Sequence, residues 1–307
     1  MKILITGGGG FIASHIVDTY IEEGYKVLVV DDLSTGKRKN INKNAYFEKV
    51  SILNKDALEG IFLSFKPDVV NHHAAQINLR SSFEDPVFDA EINIIGGINL
   101  LQLSLKYGVK KFIFASSGGA IYGEVNDRPV SEDYPPHPFS PYGVSKLSFE
   151  QYIRVFSTLN GMKYVILRYA NVYGPRQDPL GEAGVVSIFI NNIINNKPCI
   201  VFGDGKQTRD YIYIKDVVSL NLKALDSATG IYNVGTGDEY SINDLIKYLK
   251  EITGENFKVI YGEPISGEIK HISLAPSKAR ETLGWGIQFT FREGLEETYR
   301  YFANKDS

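Results

Sequence analysis

The sequence predicts an α/β fold: a doubly wound parallel sheet with a second, smaller α/β domain joined to it. Three observations carry this expectation. From Lys2 to Tyr169, short apolar runs rich in β-branched residues alternate with helix-length amphipathic segments, and such alternation builds parallel sheets covered on both faces. The first strand and the first helix are separated by four glycines, Gly7 to Gly10, and a strand-to-helix turn of this kind opens many such sheets. Past Tyr173 the runs shorten, and Gly174 and Pro175 break the pattern, as expected where a chain leaves one domain for another.

Taken in order, Lys2 to Thr6 reads as a buried strand, and a helix follows from about Phe11 to Glu23, stopped by Gly24. Lys26 to Val30 is the second strand and ends in Asp31 and Asp32. An apolar segment runs near Tyr46 to Ile52, and Asn54 is placed to cap a helix reaching about Phe65. Pro67 to His73 reads as a strand, a single helix is expected from about Glu84 to Tyr107 before Gly108, and Lys111 to Ala115 is the next strand. The stretch from Glu124 to Pro141 reads as a surface loop, after which Pro141 opens a helix, and Met162 to Tyr169 is the sixth strand. The large domain is expected over 1–172 and 210–230, and the smaller over 173–209 and 231–307. Within that division, Tyr211 to Asp226 reads as a strand and helix returning to the large domain.

Composition narrows the function. The chain has 307 residues, 43% of them hydrophobic, with a formal net charge of −3. The lysines and arginines form no basic block, so nucleic acid is not an expected partner. No apolar run approaches the length of a membrane span, and the N-terminus reads directly into a strand with no signal peptide. A single cysteine, Cys199, excludes an internal disulfide framework and reads as a buried thiol; a cytoplasmic location is expected. No Cys/His cluster suggests a metal.

The glycines have a physical role. A dinucleotide's pyrophosphate has to approach the backbone at a helix N-terminus, where unpaired N–H groups and the helix dipole favour anions. Gly8-x-Gly10-x-x-Ala13 and Gly7-x-x-Gly10-x-x-Ala13 both fit known spacings for such a turn, with Ala13 small enough for helix–strand packing. Asp31 stands where a carboxylate accepts from the adenosine ribose hydroxyls, which selects NAD over NADP by repelling a 2′-phosphate. Lys37, Arg38 and Lys39 lie nearby and weaken that exclusion.

Tyr142 and Lys146, in YGVSK, are the candidate chemical centre. Their spacing sets both on one helix face, one turn apart. Moving a free phenol from about 10 to about 7 takes about 4 kcal/mol. One cation at about 4 Å supplies about that much at an effective dielectric near 20, and both Lys146 and an oxidised nicotinamide ring are cations. Three other Tyr-x-x-x-Lys pairs occur, Tyr107/Lys111, Tyr211/Lys215 and Tyr301/Lys305, but none opens a helix after a mid-sheet strand.

The glycine loop, DDLSTG, HHAAQ (His72–Gln76), FASSGGAIYG (Phe114–Gly123), YGVSK, LRYANVYGPRQ (Leu167–Gln177) and FGDGKQTRDYIYIKDV (Phe202–Val217) occur in that order. Together they resemble the extended short-chain dehydrogenase/reductase family that modifies nucleotide sugars, most closely its UDP-glucose 4-epimerase type. The resemblance covers nearly the whole chain and implies a Rossmann fold, tightly bound NAD, a UDP-sugar substrate and a homodimer paired through the helices near 84–107 and 140–159. It implies Tyr142 as general base and acid, with Lys146 on the nicotinamide ribose. It further implies cofactor contacts from Gly7, Gly10, Phe11, Ile12, Asp31, Ser51, Ile52, Ala74, Ala75, Gln76, Asn93 and Tyr169. On the substrate side it implies Asn171, Val186, Phe202, Gln207, Arg209 and Glu268. Simple packing is the alternative for Phe202, and an ion pair with Asp204 or Asp210 the alternative for Arg209. His72 and His73 read as packing residues.

The chain also departs from the family pattern. Gly118 stands where the family has the Ser or Thr that bridges tyrosine and substrate, and Ser117 is the expected replacement, with Ser116 behind it. Ser51 stands for an adenine-contacting acid, and Ile265 for a second diphosphate-binding arginine. A related 4,6-dehydratase would carry an Asp-Glu pair at Gly119 and Ala120. A reductase, another nucleotide-sugar epimerase, and a non-catalytic dinucleotide-binding module are the remaining alternatives.

Overall fold

A computed structural model describes residues 1–180, 184–265 and 269–304. In chain order its elements are β1 (Lys2–Thr6), α1 (Phe11–Glu22), β2 (Lys26–Val30), β3 (Tyr46–Glu48), α2 (Lys55–Phe65) and β4 (Val69–His72). Then come α3 (Leu79–Glu84), α4 (Pro86–Ala90), a π-helical segment (Glu91–Gly96), α5 (Gly97–Lys106), β5 (Lys111–Ser117), α6 (Gly118–Tyr122), α7 (Pro141–Asn160) and β6 (Lys163–Tyr169). The remainder is β7 (Asn171–Tyr173), α8 (Val185–Ile194), β8 (Cys199–Phe202), β9 (Thr208–Arg209), β10 (Tyr211–Tyr213), α9 (Ile214–Ala224), β11 (Gly230–Val234), β12 (Tyr240–Ser241), α10 (Ile242–Thr253), β13 (Val259–Gly262), α11 (Ser277–Leu283) and α12 (Phe291–Ala303).

Seven parallel strands form the central sheet in the order β11-β6-β5-β4-β1-β2-β3. Their side chains alternate between two apolar cores. Ile3, Ile5, Val27 and Val29 pack with α1 and α9 on one face, while Leu4, Leu28, Val70 and Phe112 pack with α2, α5 and α7 on the other. The strand order reverses between β1 and β4, and ligands of open α/β sheets bind outside the carboxyl ends of the strands at such a point. Three two-stranded sheets, β10-β7, β12-β9 and β13-β8, build the smaller region beyond that edge.

The structure corrects two expectations. The single helix from 84 to 107 is instead α3, α4, the π segment and α5. Pro86 ends one helix and opens the next, with Asp85 accepting from the Phe88 N–H at 2.9 Å as its cap. The division expected at 230 and 231 falls inside β11, which pairs with β6 as the outermost strand of the large sheet. Gly230 and Ile231 are half-buried and Tyr232 to Val234 are buried, as suits an edge strand of that sheet. The returning segment is divided in turn, since β10 pairs with β7 outside the large sheet and only α9 packs on α1.

Local signals read in the sequence hold elsewhere. Asn54 caps α2 by accepting from Ala57 N–H at 3.1 Å, and Ser140 caps α7 by accepting from Gly143 N–H at 3.1 Å with Pro141 in the first turn. Lys111 does at a C-terminus what those residues do at N-termini. Buried at the start of β5, its ammonium donates to the carbonyls of Ala224 at 2.8 Å, Ser227 at 3.0 Å and Leu225, closing the end of α9. Lys111→Met removes the donor from these buried carbonyls and should cost about 2–4 kcal/mol of stability. Thermal unfolding followed by circular dichroism checks this; an unchanged midpoint would show that the cap contributes nothing.

Candidate active site

The first part of the site is the turn from β1 into α1. Gly7 adopts a φ of +73°, and a Cβ on it would lie 2.7 Å from the Ala74 backbone nitrogen at the end of β4. A Cβ on Gly8 would lie 2.6 Å from Val29. The protein's own close packing therefore demands these glycines, in addition to any ligand. Gly10 begins α1 without a side-chain cap, so the first N–H groups face the site, with half-buried Phe11 and Ile12 behind them.

Asp31 is buried at the end of β2, and burial raises its carboxyl pKa above the ordinary value. One oxygen accepts from Gly9 N–H at 2.8 Å and the other from Leu33 N–H at 2.8 Å, leaving a lone pair on each for ribose hydroxyls. Two of the three neighbouring cations are engaged elsewhere. Lys37 pairs with Asp178 at 2.5 Å, and Arg38 lies over the Phe47 ring at 4.6 Å. Ala74 N–H donates to Thr6 at 3.1 Å, and Ala75 and Gln76 continue along the strand ends, half-buried. Asn93, on the π segment, donates to the Gln76 carbonyl at 2.9 Å and keeps a buried side-chain oxygen with no partner among the described residues. An uncapped helix start, a carboxylate with free lone pairs and an orphaned acceptor fit a dinucleotide's phosphates, ribose and carboxamide. Ser51 instead accepts from Leu53 N–H at 3.3 Å, and Ile52 is buried in the core against Gly96. The Ser51 hydroxyl is thus engaged in its own turn and the Ile52 side chain in the core.

The chemical centre lies at the carboxyl ends of β5 and β6. A Cβ on Gly143 would lie 2.3 Å from the Ala120 carbonyl oxygen, so its absence lets the first turn of α7 settle onto α6. That contact brings Tyr142 beside Ser117, which caps α6. Lys146, one turn on, donates to the Ala115 carbonyl at 3.1 Å, with its ammonium 4.8 Å from the Phe114 ring centre and 5.7 Å from that of Tyr142.

The protein alone does not prepare the phenol as the sequence suggested. Burial pushes Tyr142 well above its ordinary pKa, the Asp89 carboxylate pushes it further, and Ser117 pulls it back. Burial brings Lys146 down to about 8, while Asp89 and Glu150 hold its proton on. The opposing cation must therefore come largely from outside the polypeptide. Tyr169, buried beside them, accepts from Asn221 at 2.8 Å and stacks on His73. His72 is a packing residue, bonded to Thr6 at 2.8 Å and stacked on Phe114.

Ser116 and Ser117 face opposite ways, as alternation along a strand requires. Ser116 donates to Glu150 at 2.6 Å, deep in the sheet–helix interface, and Ser117 is left for the site. Gly118 has a steric reason: a Cβ there would lie 2.4 Å from Leu274, which is fully buried. Sequence reasoning missed Glu150, Arg168 and Asp89. For Asp89 the available signal was its place four residues before Asn93, one helical turn away. The other Tyr/Lys pairs are occupied elsewhere: Lys111 caps α9, Lys215 pairs with Glu297 at 2.6 Å, and Lys305 lies outside the described residues.

The outer residues are less tightly gathered. Asn171 begins β7 with an exposed side chain, its N–H donating to the Asp210 carbonyl at 2.9 Å. Phe202 is 45% exposed, which excludes simple core packing, and Gln207 donates to its carbonyl at 2.9 Å. Arg209 donates to the Thr208 carbonyl at 2.8 Å. Asp204 pairs with Lys206 at 3.3 Å, and Asp210 is buried among the N–H groups of Thr236, Gly237 and Leu274. Val186 is buried in the core, and Glu268 lies outside the described residues.

The NAD dependent epimerase/dehydratase family model matches residues 3–235. A Methanocaldococcus jannaschii protein named putative UDP-glucose 4-epimerase is 49% identical over 305 residues, covering 99% of each chain. A Thermotoga maritima UDP-glucose 4-epimerase, solved with UDP-glucose, superposes with a TM-score of 0.98 at 49% identity over 100% of both chains. A Thermus thermophilus UDP-glucose 4-epimerase, solved with NAD, gives 0.94 at 44% identity over 98% of this chain and 99% of its own. With the cradle, the Tyr142–Lys146 pair and these likenesses agreeing, the chain belongs to the NAD dependent epimerase/dehydratase family.

Proposed function

We propose that the protein is a UDP-glucose 4-epimerase that interconverts UDP-glucose and UDP-galactose through a transient 4-keto sugar, with NAD held tightly throughout. The observation that carries the reading is the convergence of Tyr142, Lys146 and Ser117 beside the dinucleotide cradle at the carboxyl end of the sheet. The names of its near relatives support the choice of sugar.

Bound NAD supplies a reversible hydride acceptor at the sugar's C4. Gly7, Gly10, Phe11 and Ile12 receive its pyrophosphate, Asp31 its adenosine ribose, and Ala74, Ala75, Gln76, Asn93 and Tyr169 line its nicotinamide half. Tyr142 takes the proton of the 4-hydroxyl and gives it back to the same oxygen once the keto sugar has turned about its diphosphate link to present its other face. Ser117 hydrogen-bonds the reacting oxygen in place of the residue absent at 118. Lys146 holds the nicotinamide ribose and supplies positive charge near the phenolate. Asn171, Phe202, Gln207, Arg209 and Glu268 hold the UDP part, with Val186 packed in the core behind them. The reading places the protein in galactose metabolism in the cytoplasm; no helix among the described residues is long and apolar enough to cross a membrane.

A second copy of the chain fits one face. Phe83, Val87, Phe88 and Ile95 beside α4, with Val144, Tyr152, Val155 and Leu159 on α7, are exposed apolar side chains on adjacent helices. Val87 is 67% exposed and Leu159 77%, and apolar surface gathered in this way marks an association site. Sedimentation at micromolar concentration should show a homodimer; a monomer would remove this assignment.

Incubating the pure protein with UDP-galactose should give UDP-glucose by NMR, with no added NAD and no net reduction of cofactor. Turnover confined to N-acetylated or uronic UDP-sugars would overturn the substrate, and net reduction would overturn epimerisation. Tyr142→Phe should nearly abolish turnover. Ser117→Ala should slow it about tenfold to a hundredfold, the value of one charge-assisted hydrogen bond of about 1.5–3 kcal/mol. Bound NAD should be unchanged in both; a silent Ser117→Ala would remove that residue's role.

Calorimetry should show NAD binding far more tightly than NADP, with Asp31→Ala narrowing the gap. Equal affinities in the unaltered protein would show that Asp31 does not select the cofactor.

A further inference from the structure

We propose that Asp89 is a positioning residue for the Tyr142–Lys146 pair: its buried carboxylate fixes the amides of Gln76 and Asn93 and stands as the counter-charge to Lys146. This inference rests on the functional reading above and adds a residue to it.

Asp89 lies on α4, which packs against α7, and is fully buried. One of its oxygens accepts from Gln76 Nε2 at 3.1 Å and from Asn93 Nδ2 at 3.0 Å. The amide group of Gln76 also donates to the Asn78 carbonyl at 2.9 Å, and that of Asn93 to the Gln76 carbonyl at 2.9 Å. All the N–H groups of both side-chain amides are thereby used. Neither side chain can flip, and Asn93 must present its oxygen, not its nitrogen, to the cofactor side. The other Asp89 oxygen is buried with no partner among the described residues. An orphaned carboxylate oxygen in a protein interior is costly unless a charge or donor answers it.

The charged groups around it identify what answers it. Lys146 and Glu150 project from α7, and Glu150 is paired with Arg168 of β6 at 2.6 Å. His72 at the end of β4 and His73 just after it are pushed far below their ordinary values by burial, with the Lys146 charge adding to it, so both are neutral. Arg80, Glu84, Asp85 and Glu91, on or beside α3, α4 and the π segment, are exposed. Among the charged groups of the described residues on these packed elements, Lys146 is the buried cation not already paired with a carboxylate, and its ammonium stands 5.7 Å from the Tyr142 ring centre, so Asp89 favours the charged lysine and opposes ionisation of the phenol. The carboxylate keeps the lysine charged and the tyrosine strongly basic. It sets the proton balance of the pair without touching the sugar.

Asp89→Asn separates the two roles, because an asparagine keeps an acceptor oxygen for both amides and loses the charge. In NAD-loaded protein carrying 13C-labelled tyrosine, the Tyr142 resonance, assigned by its loss in Tyr142→Phe, should titrate lower by about one pH unit or more. The acidic limb of the kcat profile should move the same way, with bound NAD and KM little changed. Asp89→Ser, which also lacks the charge and leaves room for water, should shift the titration in the same direction. A folded Asp89→Asn whose Tyr142 titrates where the unaltered protein's does would overturn the proposal. So would failure of both variants to fold, which would make Asp89 a purely structural residue. Absence of turnover on UDP-glucose and UDP-galactose in the unaltered protein would overturn the functional reading instead, since the Tyr142 titration reads Asp89 without turnover.

Discussion

The buried pair of Glu150 and Arg168 is the constraint on which the rest of the site depends. Arg168 donates to both carboxylate oxygens, at 3.0 and 2.6 Å, and its remaining nitrogen donates to Tyr122 at 2.8 Å. Tyr122 donates to Asn233 at 2.9 Å, and Asn233 donates to the Val130 carbonyl at 2.8 Å. Ser116 completes the Glu150 side. One connected set of polar groups thus joins β5, β6, β11, α6, α7 and the loop before α7. Isolated buried ion pairs are poor sources of stability, but removing one partner typically costs about 3–5 kcal/mol. The pair therefore specifies register more than it stabilises: it fixes how far α7 stands along the sheet, and Tyr142 and Lys146 follow.

A second polar hub does the same for the smaller region. Asp210 accepts from Thr236 N–H at 2.9 Å, the Thr236 hydroxyl at 2.7 Å, Gly237 N–H at 3.1 Å and Leu274 N–H at 3.0 Å. Burial nevertheless pushes its carboxyl up to about 6. The residue adjoins Arg209 in sequence, so the segment that carries that arginine is anchored by its neighbour. Its carboxylate ties together three stretches that are far apart along the chain.

What could be read from the sequence was what local chemistry determines. The glycine turn, the Asn54 and Ser140 caps, the proline at the start of α7 and the one-turn spacing of Tyr142 and Lys146 all depend on neighbours within a few residues. Alternation between Ser116 and Ser117 was equally local: Ser116 turns into the sheet–helix interface, where it donates to Glu150, and Ser117 turns the other way. The features that escaped depend on tertiary neighbours. Glu150 and Arg168 meet only because β5, β6 and α7 are adjacent, and Asp89 reaches Gln76 only because Pro86 and the π segment break one expected helix. The ionisation of Tyr142 also escaped. Its four-residue spacing from Lys146 was visible, but the burial that outweighs that lysine was not.

Gly118 and Leu274 lie far apart in sequence but occupy one volume, since a side chain at the first would enter the second. Leu274 is wholly buried, and both of its δ-methyls stand against the Gly118 position. A single Gly-to-Ser step at 118 would therefore introduce overlap before it could supply a hydroxyl, and such overpacking typically costs about 1–3 kcal/mol. The two positions are therefore sterically coupled: with leucine at 274, a hydroxyl at 118 requires two coordinated changes, a smaller side chain at 274 and a serine at 118. The serine one residue earlier needs neither.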